Sequence, residues 1–422
     1  MTSPSESQPA PEGLATAVEP AIGAPIEITE LRRLTGGASR ETWSFRANGV
    51  ELILRRDPPG RRGAPGAMRR EADAMRACAR VGLRVPEVIA DDDGTRLGTA
   101  GLVMRRVPGE TIARRILRGE EYAPARRVLV GELGEFLAGL HAIDPTEVPS
   151  AAPADPLSAW DKYLALDDRS ATFDRAHEWL IVHRPHLATD ALVHGDLRMG
   201  NLIVGPTGLA AVIDWEILHI GDPLEDLAWL CLKAWRFGEP LEVGGLGTID
   251  ELVGAYEAAG GRPVDRDALH WWLTAKTLTW GIGCMIQADY HLSGRVRSID
   301  LAAVGRRAAE QEWDLIELLA PDACRVALAA PRPQPLPDDG RAFGRPTARE
   351  LLDAVRELLT DKVVPGDDAA LSYEARVAAN LLATVERELA FPPVTYDGDD
   401  WPSLALSVRD KLIVASPKHL GR

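Results

Sequence analysis

The chain has 422 residues, with a hydrophobic fraction of 45% and a charged fraction of 26%, values typical of a folded globular protein that has room for two or three domains. Its formal net charge of −15 disfavours binding to nucleic acid or to an acidic membrane surface, because both are polyanions. No apolar run is long enough to span a bilayer, and the first basic residue is Arg32, which is atypical of a secretory or transit signal. The sequence therefore predicts a cytoplasmic protein.

The first segment, residues 1–25, is rich in Pro, Ser, Ala and Glu and has no hydrophobic periodicity, so we expect it to be disordered. A glycine-containing turn follows in LTGGAS, where Gly36, Gly37 and Ser39 lie between two short strands. Backbone amides in such a turn can approach a phosphate closely, although the same composition is also typical of an ordinary turn.

The next strands are joined by Asn48-Gly49, a strong signal for a β-hairpin. The second strand reads ELILRR, and its side chains alternate between the two faces of a sheet. Arg55 and Arg56 therefore point in opposite directions, and a shift of one residue decides which of them reaches a given site. We favour Arg55.

Two further elements complete this half of the chain. Residues 68–80 read as a helix that carries Glu71 among several arginines, where a solvated face is the simplest interpretation. Residues 102–107 form an apolar strand that runs into Pro108 and Gly109. This strand either ends in a plain turn or connects two lobes.

The most informative stretch is LVHGDLRMGNLIVGPTGLAAVIDWE, which contains Asp196, Asn201 and Asp214. The segments 202–204 and 209–213 are apolar strands joined by a turn, and such a hairpin can bring the three oxygen-bearing side chains to one site. Mg²⁺ prefers oxygen ligands, so Asn201 and Asp214 are candidate metal ligands, and Asp196 is left to accept the proton of an attacking hydroxyl. Each residue alone is most often a turn former, but the ordered combination makes that interpretation improbable.

The motifs HGDLRMGN, IDWE and GDPLEDLAWL resemble those of the aminoglycoside phosphotransferase and choline kinase family, the small-molecule relatives of protein kinases. The resemblance implies an α+β, two-lobed protein-kinase-like fold, with a small lobe built on an antiparallel sheet at residues 26–107 and a mainly helical large lobe at 108–330. It also implies ATP and Mg²⁺ as cofactors and a small-molecule hydroxyl as acceptor. Asp222 and Asp226 are expected to be structural, bonding loop amides or capping the helix that begins near Leu224.

The resemblance also assigns roles to individual residues. It makes Asp196 the catalytic residue and makes Asn201 and Asp214 the magnesium ligands. Arg198, two residues after Asp196, is expected to touch the transferring phosphate. Arg55 matches the phosphate-binding basic position, where protein kinases have Lys, and Glu71 matches the acid that holds it. The other residues implied to bind the nucleotide are Gly36, Gly37 and Ser39 in the phosphate loop, and Met104 and Val107 at the adenine edge.

A Pro- and Asp-rich linker at residues 331–344 precedes a small helical domain at residues 345–422. The pattern Thr347-Ala348-Arg349-Glu350 predicts a capping box, and helical periodicity recurs around residues 375–389 and 401–414. The segments RPTARELLDAVRELL and VRDKLIVASPKHL resemble a small helical domain of unknown function that is often encoded beside such kinases.

The acceptor is the least determined part of the prediction. Many arginines follow the adenine edge, and Trp271, Trp272 and Trp280 lie on a helix with few charges. These features are compatible with an acyl chain on a phosphorylated carrier as the acceptor. They are equally compatible with arginines on a solvated helical face and tryptophans in the core. The DWE motif and the GDPLEDLAWL tail most resemble kinase-like domains associated with acyl-CoA dehydrogenases. This resemblance implies a hydroxyacyl-CoA acceptor and an acyl-CoA dehydrogenase partner, or alternatively a homo-oligomer. The other hypotheses are an aminoglycoside, choline or sugar kinase, and a catalytically weak nucleotide-binding scaffold.

Overall fold

The structure, a computed structural model, describes residues 8–34, 40–59, 63–336, 346–394 and 398–421. By packing, the chain divides into two compact units, one of Met1–Ala154 with His186–Leu269 and one of Asp155–Pro185 with His270–Arg422. The domain boundaries expected from the sequence stay predictions. In the described parts of the chain, no helix combines the length and apolar character needed to cross a membrane.

The helices and strands alternate in the first third of the chain, and helices dominate the rest. In chain order they are α1 (Pro11–Ile22), β1 (Ile28–Leu34), β2 (Glu41–Ala47), β3 (Val50–Arg56), α2 (Ala67–Arg80), β4 (Val88–Asp93), β5 (Ala100–Arg105), α3 (Ala113–Arg118), α4 (Ala123–His141), α5 (Ala159–Leu164), α6 (Ala171–Val182), β6 (Ala191–Val193), β7 (Leu202–Gly205), β8 (Gly208–Val212), β9 (His219–Gly221), α7 (Leu224–Cys231), α8 (Ile249–Ala258), α9 (Arg266–Leu292), α10 (Ile299–Gly305), α11 (Ala308–Leu319), α12 (Pro321–Ala329), α13 (Ala348–Leu358), α14 (Ala369–Ala390) and α15 (Trp401–Ala415).

The first unit contains a five-stranded antiparallel sheet in the order β1-β2-β3-β5-β4. Asn48 and Gly49 form the predicted hairpin turn between β2 and β3, and both have the positive φ, 49° and 80°, that this turn requires. Because side chains alternate along β3, Leu52 and Leu54 lie in the core while Arg55 points to the opposite face. The small lobe with an antiparallel sheet and the mainly helical remainder confirm the predicted fold class.

The described part of the N-terminal segment differs from the disorder expected for residues 1–25. Helix α1 begins with Pro11 in its first turn, a position that tolerates proline. Leu14 and Val18 are fully buried and pack with Trp43 and Phe45 of the sheet. The Pro-, Ser-, Ala- and Glu-rich composition suggested disorder, but the spacing of four between these two apolar residues places them on one helical face.

The second unit joins the C-terminal helices to helices that precede the predicted linker. Residues of α11, α12 and α15 share one hydrophobic core, which includes Trp313, Ile316, Leu404 and Leu412. The capping box of α13 is present, with Thr347 and Glu350 bonding each other's backbone as predicted. Residues 331–336 of the linker contain no helix or strand, and residues 337–345 lie outside the described residues.

Arg409 of α15 closes the end of α12. Its side chain is buried and donates to the carbonyl oxygens of Ala327, Ala330 and Pro331 at 2.6, 3.0 and 3.2 Å. Its charge is balanced by Asp410, whose Oδ1 lies 2.7 Å from Arg409 Nε. These bonds satisfy carbonyl groups that every helix leaves without a partner at its C-terminus.

We expect Arg409→Ala to destabilise the second unit by about 3–5 kcal/mol, because it removes one partner of the buried ion pair with Asp410 and leaves the carbonyl oxygens at the end of α12 without this donor. The measurement is the urea midpoint followed by tryptophan fluorescence. The matched control is Arg325→Ala on α12, because that exposed side chain pairs with exposed Asp322 and its loss should change the free energy of unfolding by about 0.5 kcal/mol or less. Equal urea midpoints for the two variants would contradict the stabilising role of Arg409 at the end of α12.

Candidate active site

The candidate catalytic loop begins where β6 ends and contains His194, Gly195 and Asp196. Gly195 has a φ of 82°, and a Cβ atom there would lie 3.1 Å from the carbonyl oxygen of Ile217. A residue with a side chain would therefore be strained at this position. The chain turns sharply at Gly195, and Asp196 follows directly after this turn.

His194 is fully buried beneath this loop. Its Nδ1 accepts the backbone N–H of Asp196 at 3.2 Å, and its Nε2 lies 3.1 Å from the carbonyl oxygen of Ile213. The imidazole therefore carries its proton on Nε2. Burial lowers the pKa of His194 below its ordinary value, which agrees with a neutral ring that connects the loop to the end of β8.

Asp226 of α7 holds the same loop from below. Its two carboxylate oxygens accept the backbone N–H groups of His194 and Gly195 at 2.8 and 2.9 Å. His141 Nε2 lies 3.2 Å from Asp226 Oδ2, and His141 Nδ1 lies 3.2 Å from the hydroxyl of Tyr256. Asp226 thus bonds loop amides, as the sequence predicts, and the helices α4, α7 and α8 converge on the loop.

Asn201 and Asp214 lie at the two ends of the β7–β8 hairpin. The backbone N–H of Ile213 donates to the carbonyl oxygen of Asn201 at 2.9 Å, which places the two candidate ligands side by side. The Asn201 side-chain NH₂ donates to the backbone oxygen and Oδ2 of Asp196, at 2.8 and 2.7 Å. Both contacts use the NH₂ group of Asn201, so neither of them takes up its amide oxygen.

Asp214 adopts a φ of 70°, which is rare for a residue with a side chain. Such conformations persist where the surrounding structure enforces them, and they concentrate at functional sites. One carboxylate and one amide oxygen are a fitting donor set for Mg²⁺, which keeps water and phosphate oxygens as its other ligands. Among the described residues no group of three or more His, Cys, Asp or Glu could hold a metal ion.

Arg55 bridges the sheet and the catalytic segment. One of its terminal nitrogens lies 2.7 Å from Asp214 Oδ1 and the other 3.3 Å from Glu71 Oε2 on α2. Arg56, on the opposite face of β3, instead forms a buried pair with Glu41 at 2.8 Å. The structure therefore brings Arg55, and not Arg56, to Asp214.

Glu71 has a second cationic partner, Arg40, which the sequence analysis missed. Arg40 forms an ion pair with Glu71. Its Nε also lies 3.6 Å from Asp57 Oδ1, and one of its terminal nitrogens lies 3.9 Å from Glu216 Oε2. Burial raises the pKa of Glu71, and the two guanidinium groups act against that shift. The position of Arg40 immediately after the LTGGAS turn was the available signal for it.

Arg198 contacts the side chain of Asp196 directly. Its Nε donates to Asp196 Oδ1 at 3.0 Å, and its guanidinium carbon lies 5.0 Å from the ring centre of Trp235. Trp229 of α7, which the sequence analysis also missed, donates its indole N–H to Asp196 Oδ1 at 2.8 Å. The surroundings of Asp196 Oδ1 are therefore aromatic and basic.

The residues expected to hold the nucleotide are only partly described. Gly36, Gly37 and Ser39 lie outside the described residues. Met104 lies in β5, paired with Ile53, and its side chain is buried. Strand β5 ends at Arg105, two residues before the expected end at Val107, and the N–H groups of Arg105 and Arg106 donate to the carbonyl oxygens of Glu87 and Glu51.

Two features that favoured an acyl-carrier substrate have simpler explanations in the structure. Trp271 and Trp272 are buried core residues, and the indole N–H of Trp271 donates to the carbonyl oxygen of Leu180. Most of the arginines after the adenine edge have partners within the protein. The pairs are Arg105 with Glu87, Arg106 with Glu51, Arg115 with Glu110, Arg118 with Glu239, and Arg126 with the carbonyl oxygens of Ile116 and Gly119.

Similar proteins of known name fall into two groups. Acyl-CoA dehydrogenase family member 10 of Mus musculus is 32% identical over 217 residues, which are 48% of this chain and 20% of that protein. Acyl-CoA dehydrogenase family member 11 of Homo sapiens is 27% identical over 259 residues, which are 56% of this chain and 33% of that protein. Viomycin phosphotransferase of Streptomyces vinaceus is 33% identical over 187 residues, 40% of this chain and 63% of that enzyme. The match spans only a fifth to a third of the length of the acyl-CoA dehydrogenase relatives.

Among solved structures, a Ralstonia eutropha JMP134 protein classed with the aminoglycoside phosphotransferases superposes with a TM-score of 0.59. It is 23% identical, and the match covers 72% of this chain and 98% of that one, so the two proteins share a fold. The family model for the phosphotransferase enzyme family matches residues 30–272, more than half of the chain. The protein therefore belongs to this family, whose members use ATP and Mg²⁺ to phosphorylate hydroxyl groups of small molecules.

Proposed function

We propose that this phosphotransferase transfers the γ-phosphoryl group of ATP to the hydroxyl of a hydroxyacyl-CoA. The observation that carries the proposal is the Arg198–Trp235 stack against Asp196. A guanidinium beside Asp196 offsets the negative charge of that carboxylate, which makes the site less favourable for a polycationic aminoglycoside than an unpaired carboxylate would be. The likeness to two acyl-CoA dehydrogenase family members supports the acyl-CoA class.

The residues divide the work of the transfer. Asp196 orients the acceptor hydroxyl and takes its proton as the acceptor oxygen bonds to the γ-phosphorus and the bond to ADP breaks. Asn201 and Asp214 would hold Mg²⁺, which when bound neutralises charge on the phosphate oxygens. Arg55 contacts phosphate from β3, with Glu71 limiting the directions it can take.

Label transfer from γ-labelled ATP to a panel of acceptors tests the proposal. The panel contains 4-hydroxyacyl-CoAs, sugars, choline, an aminoglycoside and viomycin, and the matched control is Asp196→Asn with each acceptor. We expect label on the acyl-CoA with the unchanged protein and almost none with the variant.

The other outcomes separate the alternatives. Label on viomycin or the aminoglycoside alone would overturn the proposed acceptor and favour antibiotic inactivation, in keeping with the likeness to viomycin phosphotransferase. Magnesium-dependent thermal stabilisation by ATP without label on any acceptor would favour a nucleotide-binding scaffold.

A further inference from the structure

The two oxygens of the Asp196 carboxylate have unequal surroundings. Oδ1 accepts two hydrogen bonds, from Arg198 Nε at 3.0 Å and from Trp229 Nε1 at 2.8 Å. Oδ2 accepts one, from Asn201 Nδ2 at 2.7 Å. A carboxylate oxygen accepts about two hydrogen bonds. Among the described residues Oδ1 is therefore saturated, and Oδ2 retains one place.

Trp229 reaches Asp196 from the helix that also holds the loop backbone. It lies three residues after Asp226 on α7, so the two side chains share a face of the helix. Asp226 fixes the N–H groups of His194 and Gly195, while Trp229 fixes the side chain of the next residue in the chain. One helical face thus sets both the position of the loop and the rotation of the Asp196 carboxylate.

The indole is itself held in place. Trp229 is 6% exposed and packs against Trp235, with ring centres 5.5 Å apart. The guanidinium of Arg198 covers the other indole of this pair at 5.0 Å. An indole N–H is a donor only, so Trp229 can orient the carboxylate but cannot take a proton from the acceptor.

We propose that Trp229 is a positioning residue that, with Arg198, occupies Oδ1 of Asp196 and so directs the acceptor hydroxyl to Oδ2. The inference rests on the proposed phosphotransfer. The acceptor hydroxyl donates to Oδ2, its proton passes to Oδ2 as the acceptor oxygen bonds to the γ-phosphorus, and the electron pair of the broken bond leaves with ADP. Without the indole N–H the carboxylate can rotate and exchange its oxygens, which costs the aligned geometry that the transfer needs.

Trp229→Phe tests this role, because it keeps an aromatic ring and removes the N–H. The matched control is Trp271→Phe, which removes one buried indole hydrogen bond, to the carbonyl oxygen of Leu180 at 2.9 Å in the second unit. ATP turnover with water as the acceptor serves as the probe. We expect kcat to fall about 10- to 100-fold for Trp229→Phe and less than about twofold for the control, with KM for ATP unchanged in both.

The same substitution in an Asp196→Asn background separates positioning from a general structural effect. If Trp229 acts through the carboxylate, Trp229→Phe should lower kcat little further in a protein that already lacks the carboxylate. A full additional loss in that background, or equal kcat for Trp229→Phe and Trp271→Phe, would overturn the proposal.

A measurement without turnover keeps the inference independent of the acceptor. The indole ¹H–¹⁵N resonance that disappears in Trp229→Phe identifies the Trp229 N–H, and Asp196→Asn should shift this resonance more than any other indole resonance. An unmoved resonance would overturn the inference. A protein that turned over ATP with neither water nor any other acceptor would contradict the proposed function. The resonance would still show whether the Trp229 N–H donates to Asp196.

Discussion

Replacing Asp196 with Asn is expected to slow phosphoryl transfer by about 10²- to 10⁴-fold, the usual contribution of a catalytic acid or base. The amide cannot accept the acceptor proton, and its NH₂ group would meet the NH₂ of Asn201 where Oδ2 now accepts a bond. The measurements are kcat with the acceptor that takes up label, and the Kd for ATP, which should change little. The loss should therefore appear in kcat.

The control for this variant is Asp190→Asn, because Asp190 is an exposed acid of the same unit that pairs with Arg262 on the surface. It should retain nearly all activity. An Asp196→Asn protein with the activity of the unchanged chain would remove Asp196 from the reaction.

Replacing Asp226 with Ala is expected to destabilise the first unit by roughly 3–5 kcal/mol and to abolish activity with it. The fully buried carboxylate accepts from two loop amides and His141, and each buried donor left without an acceptor costs about 1–3 kcal/mol. The measurement is the urea midpoint, with Asp250→Ala as the control, because Asp250 is an exposed acid. A midpoint equal to that of the control would contradict the structural role.

Asp226 also predicts how stability depends on pH. Burial raises its pKa, but the bonds from His141 and the loop amide outweigh burial and leave the pKa below its ordinary value. Asp226 therefore stabilises the folded state above the unfolded-state pKa of about 3.9, and this contribution is lost as pH falls below that value toward the folded-state pKa. Asp226→Asn should be less stable at neutral pH and should lose less stability than the unchanged protein on acidification below about pH 4.

Short-range patterns in the sequence predicted the centre of the site because its geometry is local. Asp196, Asn201 and Asp214 lie within one loop and one hairpin, and their spacing fixes which oxygens can meet. The alternation of side chains along one strand placed Arg55 and Arg56 on opposite faces, and the resemblance to the family favoured Arg55. The roles assigned to these residues stay predictions until the variants are measured.

The residues that the sequence analysis missed depend on contacts between distant elements. His141 meets Asp226 across 85 positions of sequence, and Trp229 meets Asp196 across 33. A single tryptophan in a helix reads as core, and only the folded chain shows where its N–H points. Likewise, the core shared by α11, α12 and α15 joins segments on either side of a proline-rich stretch, where composition favoured a boundary.

The two guanidinium groups on Glu71 have an electrostatic consequence for nucleotide entry. If Glu71 had Arg55 as its sole counterion, turning Arg55 toward an incoming triphosphate would strand a buried negative charge. Because Arg40 also pairs with Glu71, Arg55 could exchange Asp214 for phosphate while Glu71 keeps a counterion. The same exchange would free the Asp214 carboxylate to act as a ligand of Mg²⁺.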